Sequence, residues 1–136
     1  NEILTRTEPK RIGLVTPYLA DVQEKIIANY ANAGHTIHTE RHLEDPGNFS
    51  FAEYSDDVVA GMIGAVVADG ADAVVVLCTN FRGARCTAKL EHELDVPIYD
   101  SVSATVWKCL VLTGHSPSVI KGWGGLFDDQ RLIGNR

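Results

Sequence analysis

The chain has 136 residues, 12 Lys and Arg against 18 Asp and Glu, a net charge of −6 and 45% hydrophobic residues. That is the balance of one globular domain with a core of its own, and its acidity excludes the basic face that nucleic-acid and anionic-membrane partners require. No apolar run approaches the roughly 18–20 residues of a membrane span, and the first residues lack the basic-then-apolar layout of a secretory signal.

Residues 1–10 read as a polar leader, or the remnant of a preceding helix, broken at Glu8-Pro9. Arg11 to Thr16 is a short apolar strand stopped by Pro17. Leu19, Val22, Ile26, Ile27 and Tyr30 then recur at helical spacing up to Gly34. Between His35 and Leu43 the pattern alternates, which predicts a half-exposed strand with Ile37 and Leu43 on one face and His38, Glu40 and His42 on the other. After the Asp45-Pro-Gly-Asn48 turn, Ser55 is placed to cap a helix whose apolar face carries Val58, Val59, Met62, Ile63, Val66 and Val67. Ala73 to Leu77 is nearly continuous β-branched sequence, as in a strand covered on both faces of a parallel sheet, and it delivers Cys78 to its C-terminal end. A helix over 84–94, a brief strand at Val96–Tyr99 and a helix over 102–112 follow. The order β-α-β-α-β-α-β-α predicts an α/β, flavodoxin-like fold: a four-stranded parallel sheet with helices on both faces. The half-domain is expected to span 11–114, and 115–136 to form an irregular tail.

In open α/β sheets ligands bind at the carboxyl ends of the strands. The residues to weigh are therefore Thr16-Pro17-Tyr18, Cys78-Thr79-Asn80 and Asp100-Ser101, small polar donors around one thiol. If the first and third strands are neighbours, Tyr18 and Cys78 face one crevice, which suits a carboxylate. Cys78 reads either as a small buried hydrophobe or as a thiolate acting as base, acid or nucleophile. The Thr79-Asn80-Phe81-Arg82-Gly83 run beside it serves a ligand better than a core and favours the second reading. Cys86 and Cys109 lack such a setting and read as structural. The odd, widely spaced cysteines predict no disulfide framework and a reducing cytoplasm. His38, Glu40 and His42 are read as the polar edge of a strand, not as metal ligands. Pro17-Tyr18-Leu19 cannot cradle a flavin phosphate, and there is no GxGxxG or Walker loop to hold a nucleotide.

Together, Val15-Thr-Pro-Tyr18 at the first strand end, Leu77-Cys-Thr-Asn-Phe-Arg82 at the third, Leu90-Glu91 through Ser101, and Gly122-Trp-Gly-Gly-Leu-Phe127 resemble the C-terminal half of the aspartate/glutamate racemase superfamily, in particular its maleate isomerase and arylmalonate decarboxylase branches. The resemblance runs from about Arg11 to Phe127. It implies an enzyme with no metal or organic cofactor, built of two similar α/β halves, acting on a small carboxylate with a cysteine as base, nucleophile or proton donor. On that resemblance Cys78 is the catalytic residue, and Thr16, Tyr18, Thr79, Asn80 and Ser101 are substrate-binding. Asp100 stands where the family has another serine. The N-terminal half and its partner residue are expected outside this chain, which opens on Asn1 and whose only methionine is Met62, so this half alone is not expected to turn over. Trp123, Leu126 and Phe127 are expected to pack on that other half, and in its absence to expose an apolar patch that drives homo-oligomerisation.

Overall fold

The computed structural model describes residues 1–133. Its strands β1 (Ile12–Thr16), β2 (Ile37–His42), β3 (Ala73–Val76) and β4 (Ile98–Asp100) form one parallel sheet in the order β2-β1-β3-β4. The helices are α1 (Glu2–Thr7), α2 (Ala20–Asn32), α3 (Asp56–Ala68), α4 (Ala84–Leu94), α5 (Ser101–Leu112) and α6 (Gln130–Ile133). From β1 to α5 the expected alternation is present.

The two central strands explain the layering. Every residue of β1 and β3 is buried, so both faces of the sheet must be covered. On one face Val15, Val74 and Val76 pack against Val59, Ile63 and Val66 of α3 and Cys86 and Leu90 of α4. On the other, Leu14, Ala73, Val75 and Tyr99 meet Ile3 and Leu4 of α1, Trp107 of α5, and Ile26, Ile27 and Tyr30 of α2. The expected cap forms, the Ser55 hydroxyl accepting from Val58 N at 3.4 Å, and Asp100 supplies a second that was not expected, its Oδ1 accepting from Val102 N at 2.8 Å and Ser103 N at 3.2 Å.

Three expectations are corrected. First, strand β2 does not keep one phase. Ile12 pairs with Ile37 but Gly13 pairs with Thr39, so His38 is an extra residue in the ladder. Because strand side chains alternate, a single inserted residue exchanges the faces of everything beyond it. Ile37 therefore packs on the α2 side and Leu43 on the α3 side, and Thr39 and Arg41 both reach Asp69 at the end of α3, at 3.0 and 2.6 Å.

Second, of the two readings of residues 1–10 the polar leader gives way to the helical one: α1 buries Ile3 and Leu4 in the second core, and Thr7 is buried with them. Third, the tail packs inward. Leu126 and Phe127 are each 2% exposed and join that same core. Glu91 of α4 holds this turn in place, accepting from Ile98 N at 2.8 Å and from Gly125 N at 2.6 Å, and burial raises its carboxyl above the usual range. Gly124 has φ 108°, and a Cβ there would stand 2.6 Å from Thr87 Cγ2, which accounts for the glycine-rich spelling of the segment. Of the apolar tail residues expected to be exposed, Trp123 alone is, at 48%. Positions 134–136 of the expected tail lie outside the described residues.

Packing of α3 on β1 is close enough to test by a pair of glycines. A Cβ on Gly13 would fall 2.8 Å from Val66 Cγ2 and 3.0 Å from Ala71 Cβ, whereas one on Gly61, in the interior of α3, meets nothing within 4 Å. Gly13→Ala is expected to destabilise by about 1–3 kcal/mol through overpacking, and Gly61→Ala to stabilise by roughly 0.5–1 kcal/mol through helix propensity. Urea-unfolding midpoints of the two variants should move in opposite directions.

Candidate functional site

The chain leaves β1, passes through α2 to β2 on one side, and returns through α3 to β3 on the other side of β1. The loops that follow β1 and β3 therefore part in opposite directions, the arrangement that in such sheets opens a ligand crevice at the strands' carboxyl ends. Tyr18 stands on the first loop and Cys78 on the second. They stand side by side: Tyr18 packs against the buried cluster that includes Cys78, and burial first, then the neighbouring Cys78 sulfur, pushes its phenol up to about 12. The phenol is thus held as a neutral donor at neutral pH. Its ring rests edge-on against Phe51, with centroids 5.6 Å apart.

Cys78 is 8% exposed and held from below. The Ser101 hydroxyl donates to Val76 O and accepts from Cys78 N, both at 3.1 Å, and so bridges the end of β3 to the start of α5. Beyond the cysteine, Phe81 N donates to Cys78 O at 3.2 Å and closes a turn. Asn80 Nδ2 donates to Asn48 O at 2.6 Å, which ties that turn to the segment after β2. Phe51 is buried beside Tyr18, and Tyr54 lies edge-on to Phe81 at 6.0 Å, so the 48–54 segment roofs both loops.

Of the residues singled out from the sequence, Tyr18, Cys78 and Ser101 come together, and Thr79 stands exposed at the rim beside Asn80. Thr16 lies beneath them. It is fully buried, its hydroxyl donating to Gln23 Oε1 at 2.7 Å and accepting from Tyr18 N at 3.3 Å, which shapes the Pro17–Tyr18 turn and leaves nothing to reach a ligand. Ser101 is likewise committed to backbone. Asp100 already occupies the N-terminus of α5 that a substrate carboxylate would use, and burial raises its carboxyl above the usual range. Cys86 Sγ donates to Gly83 O at 3.3 Å from within α4, and burial raises its thiol, whereas Cys109 is exposed on α5.

Gln23, His42 and Glu44 carry a second layer that the sequence reading passed over. Gln23 is 2% exposed and joins Thr16 to Glu40, donating to Glu40 Oε2 at 2.8 Å. A signal was present, since Gln23 is a polar residue four after Leu19 and three before Ile26, in register with the buried stripe of α2. His42 lies between Glu40 and Glu44, while His38 turns away to Asp69 O at 3.2 Å. Among the described residues no helix is long and apolar enough to cross a membrane.

Comparison with known proteins agrees with this fold. The family described as Asp/Glu/hydantoin racemase matches residues 2–109. A maleate isomerase of Pseudomonas putida is 26% identical over 126 residues, 92% of this chain and 50% of that protein. The arylmalonate decarboxylase of Bordetella bronchiseptica is 25% identical over 122 residues, 88% of this chain and 51% of that protein. Among solved structures, a cysteine-to-serine mutant of Nocardia farcinica maleate cis-trans isomerase, with a covalently bound succinylcysteine intermediate, superposes with a TM-score of 0.86 at 24% identity, over 95% of this chain and 53% of that one. The chain spans about half the length of the curated relatives it matches. With the family match covering most of its length and the same parallel sheet beneath it, the chain belongs to the Asp/Glu/hydantoin racemase family.

Proposed function

We propose that this chain is the cysteine-bearing half of a cofactor-independent racemase or isomerase acting on a small mono- or dicarboxylic acid, of the maleate isomerase or aspartate/glutamate racemase type. The observation that carries the reading is that Tyr18 and Cys78 stand side by side beyond the carboxyl ends of β1 and β3, where the strand order reverses. Cys78 supplies the reactive sulfur. For an unsaturated dicarboxylate, its thiolate adds to one alkene carbon, the π electrons move into the neighbouring carboxylate as an enediolate, the former double bond rotates, and expulsion of the thiolate restores the alkene in the other geometry. For an amino or hydroxy acid, the same sulfur takes or returns the α-proton. Tyr18, kept protonated, donates to the carboxylate oxygen on which charge accumulates. Thr79 and Asn80 at the rim contribute further donors, and Thr16 and Ser101 act by holding the two loops. The residue that completes the site belongs to a second half, the substrate entering between the two; on its own the chain is expected not to turn over. A reducing cytoplasm suits its three unpaired cysteines.

The likeness to arylmalonate decarboxylase supports a second reading, in which the Cys78 thiol protonates an enediolate left by loss of carbon dioxide. Carbon dioxide release from disubstituted malonates, without interconversion of maleate and fumarate, would select it.

In protein carrying both halves, Cys78→Ala is expected to lower turnover by at least about 10³-fold with little change in thermal stability; full retention of activity would overturn the assignment. Cys78→Ser incubated with maleate should also lose the covalent adduct, of one added maleic acid, expected on the wild-type sulfur by intact-protein mass spectrometry. Ser101→Ala strips Cys78 N of its acceptor and Val76 O of its donor. We expect it to cost about 1–3 kcal/mol, and to speed hydrogen exchange at the Cys78 amide more than at amides of β1.

A further inference from the structure

His42 has both ring nitrogens on carboxylates: Nδ1 is 2.8 Å from Glu40 Oε2 and Nε2 is 2.9 Å from Glu44 Oε1. An ionised carboxylate only accepts, so both nitrogens must donate, and only the imidazolium has two N–H groups. Each partner leads to the Tyr18 loop by its own route. From Glu40, Gln23 donates to the same Oε2 at 2.8 Å and receives the Thr16 hydroxyl at 2.7 Å, and that hydroxyl accepts from Tyr18 N at 3.3 Å. From Glu44, the other carboxylate oxygen accepts from Ala20 N at 3.3 Å, in the first turn of α2. The backbone N of Glu44 donates to Tyr18 O at 3.2 Å, and Asp45 N donates to Pro17 O at 3.1 Å. Glu44 is also held at φ 54°, a left-handed conformation that is unfavourable for a non-glycine residue and persists only while its surroundings enforce it. The peptide groups on both sides of Tyr18 thus hang on a ring of contacts closed by one histidine.

We propose that His42, in its imidazolium form, is a positioning residue that clamps the Tyr18 loop against Cys78, so that loss of its proton loosens the phenol from the sulfur. The role given to Tyr18 rests on the function proposed above; the clamp itself does not. A neutral ring keeps one of the two contacts and turns a lone pair toward the other carboxylate. Glu44 is the partner released, because it is the more exposed of the two and its other bond, from Ala20 N at 3.3 Å, is longer than the 2.8 Å bond by which Gln23 holds Glu40. The ionisable groups facing His42 are Glu40 and Glu44, both from its own strand and the residues just after it. Its ladder neighbour on β1 is Thr16, and from α2 Gln23 reaches its partner Glu40; both are neutral. Asp21 and Lys25 pair with each other on the outer side of α2, and Arg41 pairs with Asp69 on the other face of the sheet. Glu40 first and Glu44 second raise His42 above the ordinary histidine value, against the partial burial that opposes them. The sign follows: the clamp is complete below the value of a free histidine, about 6.5, and is lost as pH rises through the higher value in the folded chain.

The test begins with the unmodified chain, followed by NMR from pH 5 to 9. The His42 ring should titrate above about 6.5, and the amides of Tyr18 and Glu44 should shift with that same midpoint. In His42→Gln, shown folded by its thermal melt, those two amides should no longer move over this range. In protein carrying both halves, the ratio of wild-type to His42→Gln kcat should be at least about 5-fold at pH 6 and fall toward one as pH rises through the His42 midpoint, with other ionisations cancelling in the ratio. Tyr18 and Glu44 amides that ignore the His42 titration, or a kcat ratio constant with pH, would overturn the clamp. If the amides follow His42 but no racemase, isomerase or decarboxylase activity is found, the clamp stands and the proposed function fails.

Discussion

Parallel pairing of β1 with β3 is the constraint on which everything else in this molecule depends. Two strands that are not consecutive in sequence lie side by side, Val15 level with Val76, and the loops that follow them are obliged to diverge. Sheet interior and crevice have the same origin. Because β1 and β3 are central, all their side chains are buried and helices must cover both faces. Because they are parallel, their carboxyl ends emerge together, and Tyr18 and Cys78 are brought into contact from 60 residues apart in the chain.

Around that pair, most of the polar groups that invite a substrate role are spent on backbone. Ser101 bridges Val76 O and Cys78 N, Asp100 caps α5, and Thr16 is shared between Gln23 and the Tyr18 amide. Each satisfies a group that would otherwise cost about 1–3 kcal/mol to bury unpaired. The result is a rigid frame on which few groups remain free: the Cys78 sulfur, the Tyr18 phenol, and at the rim Thr79 and the second amide N–H of Asn80, whose first is held by Asn48 O. A scaffold that fixes so few groups suits chemistry in which position and protonation state do the work, as proton transfer and thiol addition do.

The fold was legible in the sequence because its signals were local and redundant. The Ala73–Leu77 run marks a central parallel strand, the helical stripes mark their faces, and Ser55 marks a helix start. Cys78 and Tyr18 were legible because strand ends are where such sheets place chemistry. What escaped depended on partners distant in sequence. A bulge at His38 leaves no trace in an alternating pattern, yet it decides which side of the sheet Thr39, Arg41 and Leu43 occupy. The inward packing of Leu126 and Phe127 depends on Glu91 and Thr87, more than 30 residues away. His42, read with Glu40 as the polar edge of a strand, closes with Glu44 a ring through Gln23 that only three-dimensional contact reveals.

The claim at the centre of this account is that the Tyr18–Cys78 crevice is a reactive, carboxylate-binding site and not a strand end with a buried thiol. Iodoacetamide labelling at neutral pH, resolved by peptide mapping so that Cys86 and Cys109 serve as references in the same sample, addresses it directly. The account predicts that Cys78 is alkylated faster than free cysteine and that added succinate slows Cys78 without affecting Cys109. A Cys78 rate at or below that of free cysteine, indifferent to succinate, would contradict it.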